Sequence, residues 1–531
     1  MAAAAGSCLS DLSDDLLRRI LFFAPTREAA STSVLSRRWR YLWRASSAVN
    51  LDSRSFSRAA APAPEPPAIH QISDYSRRFS DQERAEFLRC ADESFAAAAV
   101  PVTRLTIFVA NDSRINLTHL RDWTEHDLVG AVVSNPAARR VEEIHVEVKD
   151  PNQEFSLSFS SLPSESLRLL RVNNCSSLTA APPPTAAAFP RLGELRLKNS
   201  SIPLSDLQCI IDAAPQLATL HLKSCYIETG EEDVFFHGPP AAQRYRLICP
   251  AVTALLLEDC TFQSDNVSLE LDLPRVQYFM HKGPVQRSNQ LSLKPQTTPP
   301  NVIHLVDLQL NVDSCGGGKL RAPFWQIIQK FSRAKVLKIK LDFSLDHMGN
   351  DSVKSEYELQ CTPSGVPSAL FCNLERLELD AQYSSRSTAS MVILASLLHS
   401  CPVVRDLRLK LRNDAMSTVR RSIDQELRVD FDKSVDRFRR RKSSACWLGG
   451  QDGDIYEASD IPVLSEQSFS CLQSYLKRVS LHFCMDKPNC LGAQLAKFFA
   501  ENGVVLEEMF IDDGSQKMCE HINAGVSEMD F

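Results

Sequence analysis

Between residues 12 and 43 the chain reads LSDDLLRRILFFAPTREAASTSVLSRRWRYLW, and its apolar positions recur at helical spacing. Leu12, Leu16, Leu17, Ile20 and Leu21 share one side of a first helix, with Arg18 and Arg19 opposite. Ser13 is expected to cap the free amides of Asp14 and Asp15, and Pro25 to stop the helix. Thr26 is expected to cap a second helix running through Val34 and Leu35. Ser36 is expected to cap a third carrying Arg37, Arg38, Trp39, Arg40, Leu42 and Trp43. So much apolar surface on so short a segment cannot all be buried by the segment itself, so other parts of the chain or another protein must cover some of it. Apolar stripes ordinarily face a core, and the period alone does not divide these residues between core and partner.

A second pattern follows. LRLLRVNNC at 167–175, LGELRLKNS at 192–200, LATLHLKSC at 217–225 and VTALLLEDC at 252–260 share the form L-x-x-L-x-L-x-x-C, with Ser200 once in place of Cys. The first three start at 167, 192 and 217, each 25 residues after the last, a leucine-rich-repeat period. The alternation in L-x-L predicts a short strand with one face inward, and the closing Cys is a small buried hydrophobe at the turn leaving it. In LHLK at 220–223, Leu220 and Leu222 should be buried while His221 and Lys223 point outward. Looser copies run at 102–110, 141–149, 305–313, 334–342, 374–382, 404–412 and 476–484. No copy can bury its Leu alone, so stacking predicts an irregular solenoid with a curved parallel sheet. Pro190, Pro215, Pro250, Pro274 and Pro402 stand just before strands and stop the preceding segments. The side chains between the buried Leu, namely Arg196, Lys198, His221, Lys223 and Glu258, are the candidates for partner recognition, the alternative being the loops at one edge, including the Gly-rich turn at 316–318.

Other segments punctuate this series. APAPEPP at 61–67 is a Pro-rich spacer. Phe87, Leu88, Ala91 and Phe95 fall at helical spacing, and 81–95 is read as a helix capping the first end of the solenoid. Residues 413–470 are polar and charge-rich, with Gly449, Gly450 and Gly453, and read as a long insertion. The stretches 471–483 and 493–511 read as strand, helix, a stop at Gly503 and a final strand.

Composition narrows the functional classes. Apolar residues make up 44% of the 531 and charged residues 23%, a globular balance, and the net charge of -6 argues against a general nucleic-acid binder. MAAAAGSCLS lacks a basic region and an apolar run, so no secretion is expected, and no segment is apolar for long enough to predict a membrane span. The glycosylation triplets at Asn116 and Asn266 then carry no consequence. The 16 Cys show no C-x-x-C spacing, so no metal site is expected. Gly316, Gly317, Gly318 and Lys319 suggest a phosphate loop, but Asp313 and Leu320 stand where Gly and a hydroxyl residue are required. A basic run, Arg437, Arg439, Arg440, Arg441 and Lys442, reads as a solvated loop diluted by Asp430, Asp432 and Asp436. With no G-x-S-x-G or H-E-x-x-H and scattered His, neither an enzyme nor a cofactor is expected.

The run Leu16, Leu17, Arg18, Arg19, Ile20, Leu21, then Pro25, Thr26, Arg27, Glu28, Ala29, Ala30, and Val34 through Trp43 resembles the F-box of plant F-box proteins with leucine-rich repeats. Ser13 departs from the usual Pro of that family, and Phe22, Phe23, Ala24 from its usual Ser or aromatic followed by Phe and Leu. The C-terminal strand, helix and strand resemble the FBD region that closes many such chains. The resemblance implies an α/β protein: a three-helix F-box over 8–55, a linker over 56–80, and a leucine-rich-repeat solenoid over 81–412 with its N-terminal capping helix. A polar insertion over 413–470 and FBD-like repeats or cap over 471–531 complete it. It further implies a substrate receptor of an SCF-type cullin-RING ubiquitin ligase, acting in the cytoplasm, the nucleus or both, with no membrane or nucleic-acid partner. Leu12, Leu16, Leu17, Ile20, Leu21, Pro25, Val34, Leu35, Trp39, Leu42 and Trp43 would then dock a Skp-type adaptor, and through it cullin and RING proteins, while the repeats hold an unidentified target protein. The alternative is a non-degradative leucine-rich-repeat scaffold.

Overall fold

A computed structural model of the chain describes residues 12–55, 84–110, 128–149, 155–180, 188–229, 243–263, 267–284, 291–294, 303–309, 321–348, 370–383, 389–413, 459–483, 490–512 and 519–523. It divides into two compact units, Met1–Val267 and Ser268–Phe531. The Pro-rich spacer, the glycosylation triplets, the Gly-rich turn at 316–319, the basic run at 437–442 and most of the proposed insertion lie outside the described residues.

The first unit opens with helices Asp14–Leu21, Thr26–Ser31 and Trp39–Leu42. Leu17, Leu21, Ala29, Trp39 and Leu42 form their common core. Arg38 ties the third helix to the first by an ion pair of 2.6 Å to Asp14. The caps differ from the sequence expectation. Ser13 Oγ accepts from the backbone of Leu16 at 3.4 Å rather than from Asp14 or Asp15, in keeping with the reach of a cap to the third helical residue. Thr26 is already the first helical residue, after Pro25, and its hydroxyl is turned inward to accept from the backbone N–H of Asn50 at 2.7 Å. Ser36 caps nothing, because the third helix begins only at Trp39 and follows Arg38 without a side-chain cap.

The strand Ala48–Asp52 follows and starts a parallel sheet whose next members are Arg104–Val109, Glu143–Val148, Leu169–Asn173, Glu194–Lys198, Thr219–Lys223 and Ala254–Glu258. The sequential order is what stacked repeats require, since each strand can pair only with its neighbours in the series. Every second residue is buried: Leu195 and Leu197, Leu220 and Leu222, Leu255 and Leu257. The helix over 84–97 carries the expected inward side chains Phe87, Ala91 and Phe95.

Each strand of the regular repeats ends in a residue at positive φ: Asn174 at 63°, Asn199 at 48°, Ser224 at 51° and Asp259 at 52°. Short polar side chains tolerate this left-handed region best, which explains the N/S/D that precedes every closing Cys or Ser. The turned N–H groups of Asn174 and Asn199 still bond to the carbonyls of Lys198 and Lys223 on the next strand, both at 2.8 Å. The chain then drops inward to buried Cys175, Ser200 and Cys225 and half-buried Cys260. Sγ of Cys225 donates to the Leu197 carbonyl at 3.4 Å and Sγ of Cys260 to that of Leu222 at 3.4 Å, so these thiols satisfy the preceding repeat. Short strands Ser201–Pro203, Tyr226–Glu228 and Thr261–Phe262 form a second parallel ladder beyond them.

The second unit repeats the principle with strands Tyr278–Pro284, Ile303–Gln309, Val336–Ser344, Arg376–Tyr383, Asp406–Asn413, Arg478–Phe483 and Glu508–Asp512, all parallel, closed by antiparallel Cys519–Asn523. The last part of the proposed insertion is packed rather than polar: Ile461, Leu464 and Phe469 are buried around the short helix Pro462–Ser465. Residues 470–474 are helical, and the strand begins only at Arg478. Helix Leu491–Asn502 sits so close to the preceding strand that a Cβ at Gly492 would lie 2.2 Å from the Phe483 ring. Gly503 ends that helix with φ -78°, so it is needed for close approach to the Phe499 carbonyl and Leu506, not for a left-handed turn.

Candidate interaction surfaces

The three N-terminal helices divide the apolar residues of their sequence in two. Leu17, Leu21, Trp39 and Leu42 are buried and hold the module together, with Leu12 and Trp43 packed partly against them. The indole N–H of Trp43 donates to Ser33 Oγ at 3.0 Å, which fixes the ring from inside. Pro25 is half-buried at the start of the second helix. Leu16, Ile20, Val34 and Leu35 face outward, joined by Phe23 and Tyr41, which the periodicity did not single out. Val34 is 87% and Leu35 63% exposed, values no core residue shows. Of the ten large apolar side chains exposed among the described residues, these six fall between Leu16 and Tyr41. Such a concentration on one small module is more than singly scattered surface residues would give.

This module is not an independent bead. Asn50, on the first strand of the sheet, donates from Nδ2 to the carbonyls of Phe22 and Ala24, both at 2.9 Å, and so satisfies the chain leaving the first helix. Arg27 donates to the Ser55 carbonyl. The Arg104 guanidinium lies 5.3 Å from the centre of the Phe22 ring and 5.0 Å from that of Phe23. The helices and the first strands therefore fall within one compact unit. Asn50 gave no sequence signal, because its role rests on a contact 26 and 28 residues away.

The second surface is the face of the first sheet opposite its Leu. Parallel register brings His145, Arg171, Arg196 and His221 side by side on four successive strands. Glu194 lies between the two arginines, 3.2 Å from Arg171 Nη2 and in an ion pair with Arg196. His221 Nε2 is 2.9 Å from one oxygen of Glu258, and Lys223 donates to the other at 2.7 Å. Burial opposes the ionised form of Glu258, but the hydrogen bonds from Lys223 and His221, with their charges, hold its carboxyl below the usual carboxylate range, and the hydrogen bond and charge of Glu258 raise Lys223. The imidazole of His145 is held down to about 4 by burial and by the guanidiniums of Arg104, Arg171 and Arg196. Of the five residues named from sequence, four are engaged in ion pairs or hydrogen bonds on this face, and Lys198 is exposed. Sequence reasoning passed over His145, Arg171 and Glu194. Aligning the residue between the two Leu of each L-x-L would have shown Arg171, Arg196 and His221 as one row.

Among the described residues no group of three or more His, Cys, Asp or Glu could hold a metal ion, and no helix is long and apolar enough to cross a membrane.

Comparison with known proteins shows what these segments are similar to. The F-box domain model matches residues 9–47, and the model of the leucine-rich repeats of FBD-associated F-box protein At5g56370 matches 129–283. The chain is 32% identical over 171 residues to F-box/LRR-repeat protein At3g03360 of Arabidopsis thaliana, covering 31% of this chain and 33% of that protein. It is 21% identical over 516 residues to F-box/FBD/LRR-repeat protein At5g22660 of the same plant, covering 94% of this chain and 88% of the relative. Over 45 residues it is 53% identical to putative FBD-associated F-box protein At3g12840, covering 8% of this chain and 24% of the relative. The first and third of these alignments thus span a third or less of the relatives' own length, and the second nearly all of it.

Proposed function

For a chain that is an F-box protein with FBD-associated leucine-rich repeats, we propose the role of substrate receptor in an SCF-type cullin-RING ubiquitin ligase. The observation that carries this reading is the outward set Leu16, Ile20, Phe23, Val34, Leu35 and Tyr41 on a module whose core is already complete without it. These side chains dock a Skp-type adaptor, which bridges to cullin and RING proteins. Leu17, Leu21, Trp39 and Leu42 act from beneath by fixing the helices. The open faces of the sheets hold the target protein. The chain performs no bond chemistry in this role. It raises the effective concentration of target lysines near a ubiquitin thioester carried by another protein, and that proximity is its contribution to the rate.

Recovery of a co-expressed Skp-type adaptor tests the docking assignment. A Leu16→Asp, Leu35→Asp double variant should lose the adaptor while its thermal melt stays near wild type, since neither side chain is buried. Equal recovery by both proteins would remove the assignment. In a reconstituted ligase, a bound partner should gain ubiquitin. Binding without transfer would favour the non-degradative scaffold instead.

A further inference from the structure

Where the repeat ending at Cys225 meets the one ending at Cys260, the turns leaving the strands put sulfur beside sulfur. Lys223 is in register with Glu258 on the main sheet and Tyr226 with Thr261 on the second ladder, so Cys225 and Cys260 stand opposite one another between two paired positions. The Thr261 N–H donates to the Cys225 carbonyl at 2.9 Å and holds the two turns together there. Paired strands lie about 4.8 Å apart, within the roughly 4.4 to 6.8 Å between α-carbons that a disulfide spans. Both side chains run the same way: Cys225 Sγ donates to the Leu197 carbonyl and Cys260 Sγ to that of Leu222, each at 3.4 Å, and these two leucines are themselves register partners. Other cysteines lack this combination. Cys175 holds the same repeat position but faces Ser200 on the next turn, whose Oγ accepts from the Cys175 N–H at 3.2 Å. Cys401 and Cys471 in the second unit are both fully buried, and burial raises both thiols, that of Cys471 to about 11, which leaves them inert. Cys225 is buried, but Cys260 is only half-buried. The Cys260 thiol lowers its neighbour Cys225 against the cost of burial, whereas Cys225 and burial raise Cys260.

We propose that Cys225 and Cys260 form an oxidation site, closing to a disulfide between successive repeats under a two-electron oxidant of the peroxide class. The site does not depend on the ubiquitin-ligase reading. Hydrogen peroxide is small enough to meet the sulfur of half-buried Cys260. An S–O bond forms there as the O–O bond breaks, and the departing hydroxide leaves as water with the thiol proton. Cys225, the more acidic thiol of the two, then attacks the sulfenic sulfur. The S–S bond forms, the S–O bond breaks, and the second oxygen leaves as water with the Cys225 proton. Two thiols are oxidised and one peroxide is reduced to two waters, and a dithiol reductant reverses the link by exchange. The disulfide replaces two weak S–H contacts to carbonyls by a covalent tie across a parallel pair, so the oxidised chain resists unfolding better than the reduced one.

The test exposes the purified, fully reduced full chain to hydrogen peroxide, blocks the remaining thiols, and maps the links by mass spectrometry of a non-reducing tryptic digest. The peptides bearing Cys225 and Cys260 should be recovered joined, two hydrogens lighter than their sum, and dithiothreitol should separate them. Because Cys249 shares the tryptic peptide of Cys260, fragment ions assign the link, and its placement at Cys249 would overturn the proposal. The oxidised chain should melt higher than the reduced one, and dithiothreitol should abolish the difference. Cys225→Ser and Cys260→Ser should each remove both the link and the rise in melting temperature, while Cys175→Ser should keep both. The wild-type digest decides the matter even where a variant folds poorly: Cys260 carried to the sulfinic or sulfonic acid with no joined peptide would overturn the pairing. So would a joined peptide formed equally well in chain unfolded by urea, since the fold would then not direct it. Loss of no thiol under peroxide that oxidises free cysteine in the same tube would overturn the site itself.

Discussion

The two units are built alike on the apolar side of their strands and differently on the side that faces out. In the second unit, Lys338, Glu378 and Arg408 are register partners on three successive strands, as are Lys340, Asp380 and Lys410. The signs alternate, and the charges pair: Lys338 with Glu378 at 3.1 Å, Arg408 with Glu378 at 3.6 Å, Lys410 with Asp380 at 3.2 Å and Arg412 with Asp380 at 3.0 Å. Buried Asp406 accepts from both Arg376 at 2.7 Å and Arg408 at 3.1 Å, and this raises Arg408 further. In the first unit the corresponding row runs His145, Arg171, Arg196, His221, and among the described residues Glu194 serves both arginines. A self-neutralised face gains from its own neighbours and has little to offer an ion. In the first unit two adjacent guanidiniums share one carboxylate, so that face is less fully neutralised by its own neighbours. The lesson is that repeat geometry sets the positions, and the choice of sign at those positions decides how far a face neutralises itself.

The largest effects should show no difference between the units, which would confine the comparison to the open faces. Leu222→Ala and Leu409→Ala remove side chains that are buried to the same degree, and each should lower stability by about 2 to 5 kcal/mol in thermal or denaturant melts. A large loss in only one of them would mean that the units differ in their cores as well. Next in size is a pH effect. His145 titrates near 4 in the folded chain against an ordinary 6.5, so between those values the unfolded chain binds a proton that the folded one does not. Stability is therefore undiminished by this group above about 6.5 and is lost as pH falls towards 4. His145→Gln, among Arg104, Arg171, Arg196 and Glu143, should recover up to about 2 to 3 kcal/mol at pH 4 and nothing at pH 7.5. His281 in the second unit is also held to about 4, by burial and by Lys330. Added salt should therefore relax His145 more than His281, because three guanidiniums contribute to its shift. Equal salt response, read by NMR titration of the two imidazoles, would break this part of the contrast.

Smaller effects sharpen the contrast directly. Asp406→Ala strands Arg376 and Arg408 beside a buried gap and should cost about 1.5 to 3 kcal/mol, while Arg196→Gln relieves a like-charge neighbour and should stay within about 0.5 kcal/mol of wild type. If Arg196→Gln were the more damaging, the first face would be a structural lattice like the second. The smallest change is expected for His221→Ala, under about 1 kcal/mol, since Lys223 continues to hold Glu258. Its effect should be seen in target capture instead, and a melt as low as that of Leu222→Ala would show that the repeat register is wrong.

The sequence by itself determined where the strands lie and which of their residues turn inward, because both follow from a period of two within a period near 25 that any reader of the chain can align. It also determined that three helices open the chain, although the second ends at Ser31 rather than running through Val34 and Leu35, and the third starts only at Trp39. Among the strands it hid, Tyr278–Pro284 turns Phe279, His281 and Gly283 inward, and Ala48–Asp52 offers only Val49 and Leu51 within a stretch read as part of the helical module. The caps were misplaced because a hydroxyl beside a helix start has competing partners, and Thr26 is taken by Asn50 across 24 residues. Which Leu of the first helix would be core and which surface was beyond the period, since Leu16 and Leu17 both satisfy it and only packing against Trp39 and Leu42 decides that Leu17 is inside. The row of His145, Arg171, Arg196 and His221 likewise exists only in three dimensions. Residues spread over 77 positions, from 145 to 221, become neighbours because parallel pairing stacks equivalent points of successive repeats, and charge acts through space rather than along the chain.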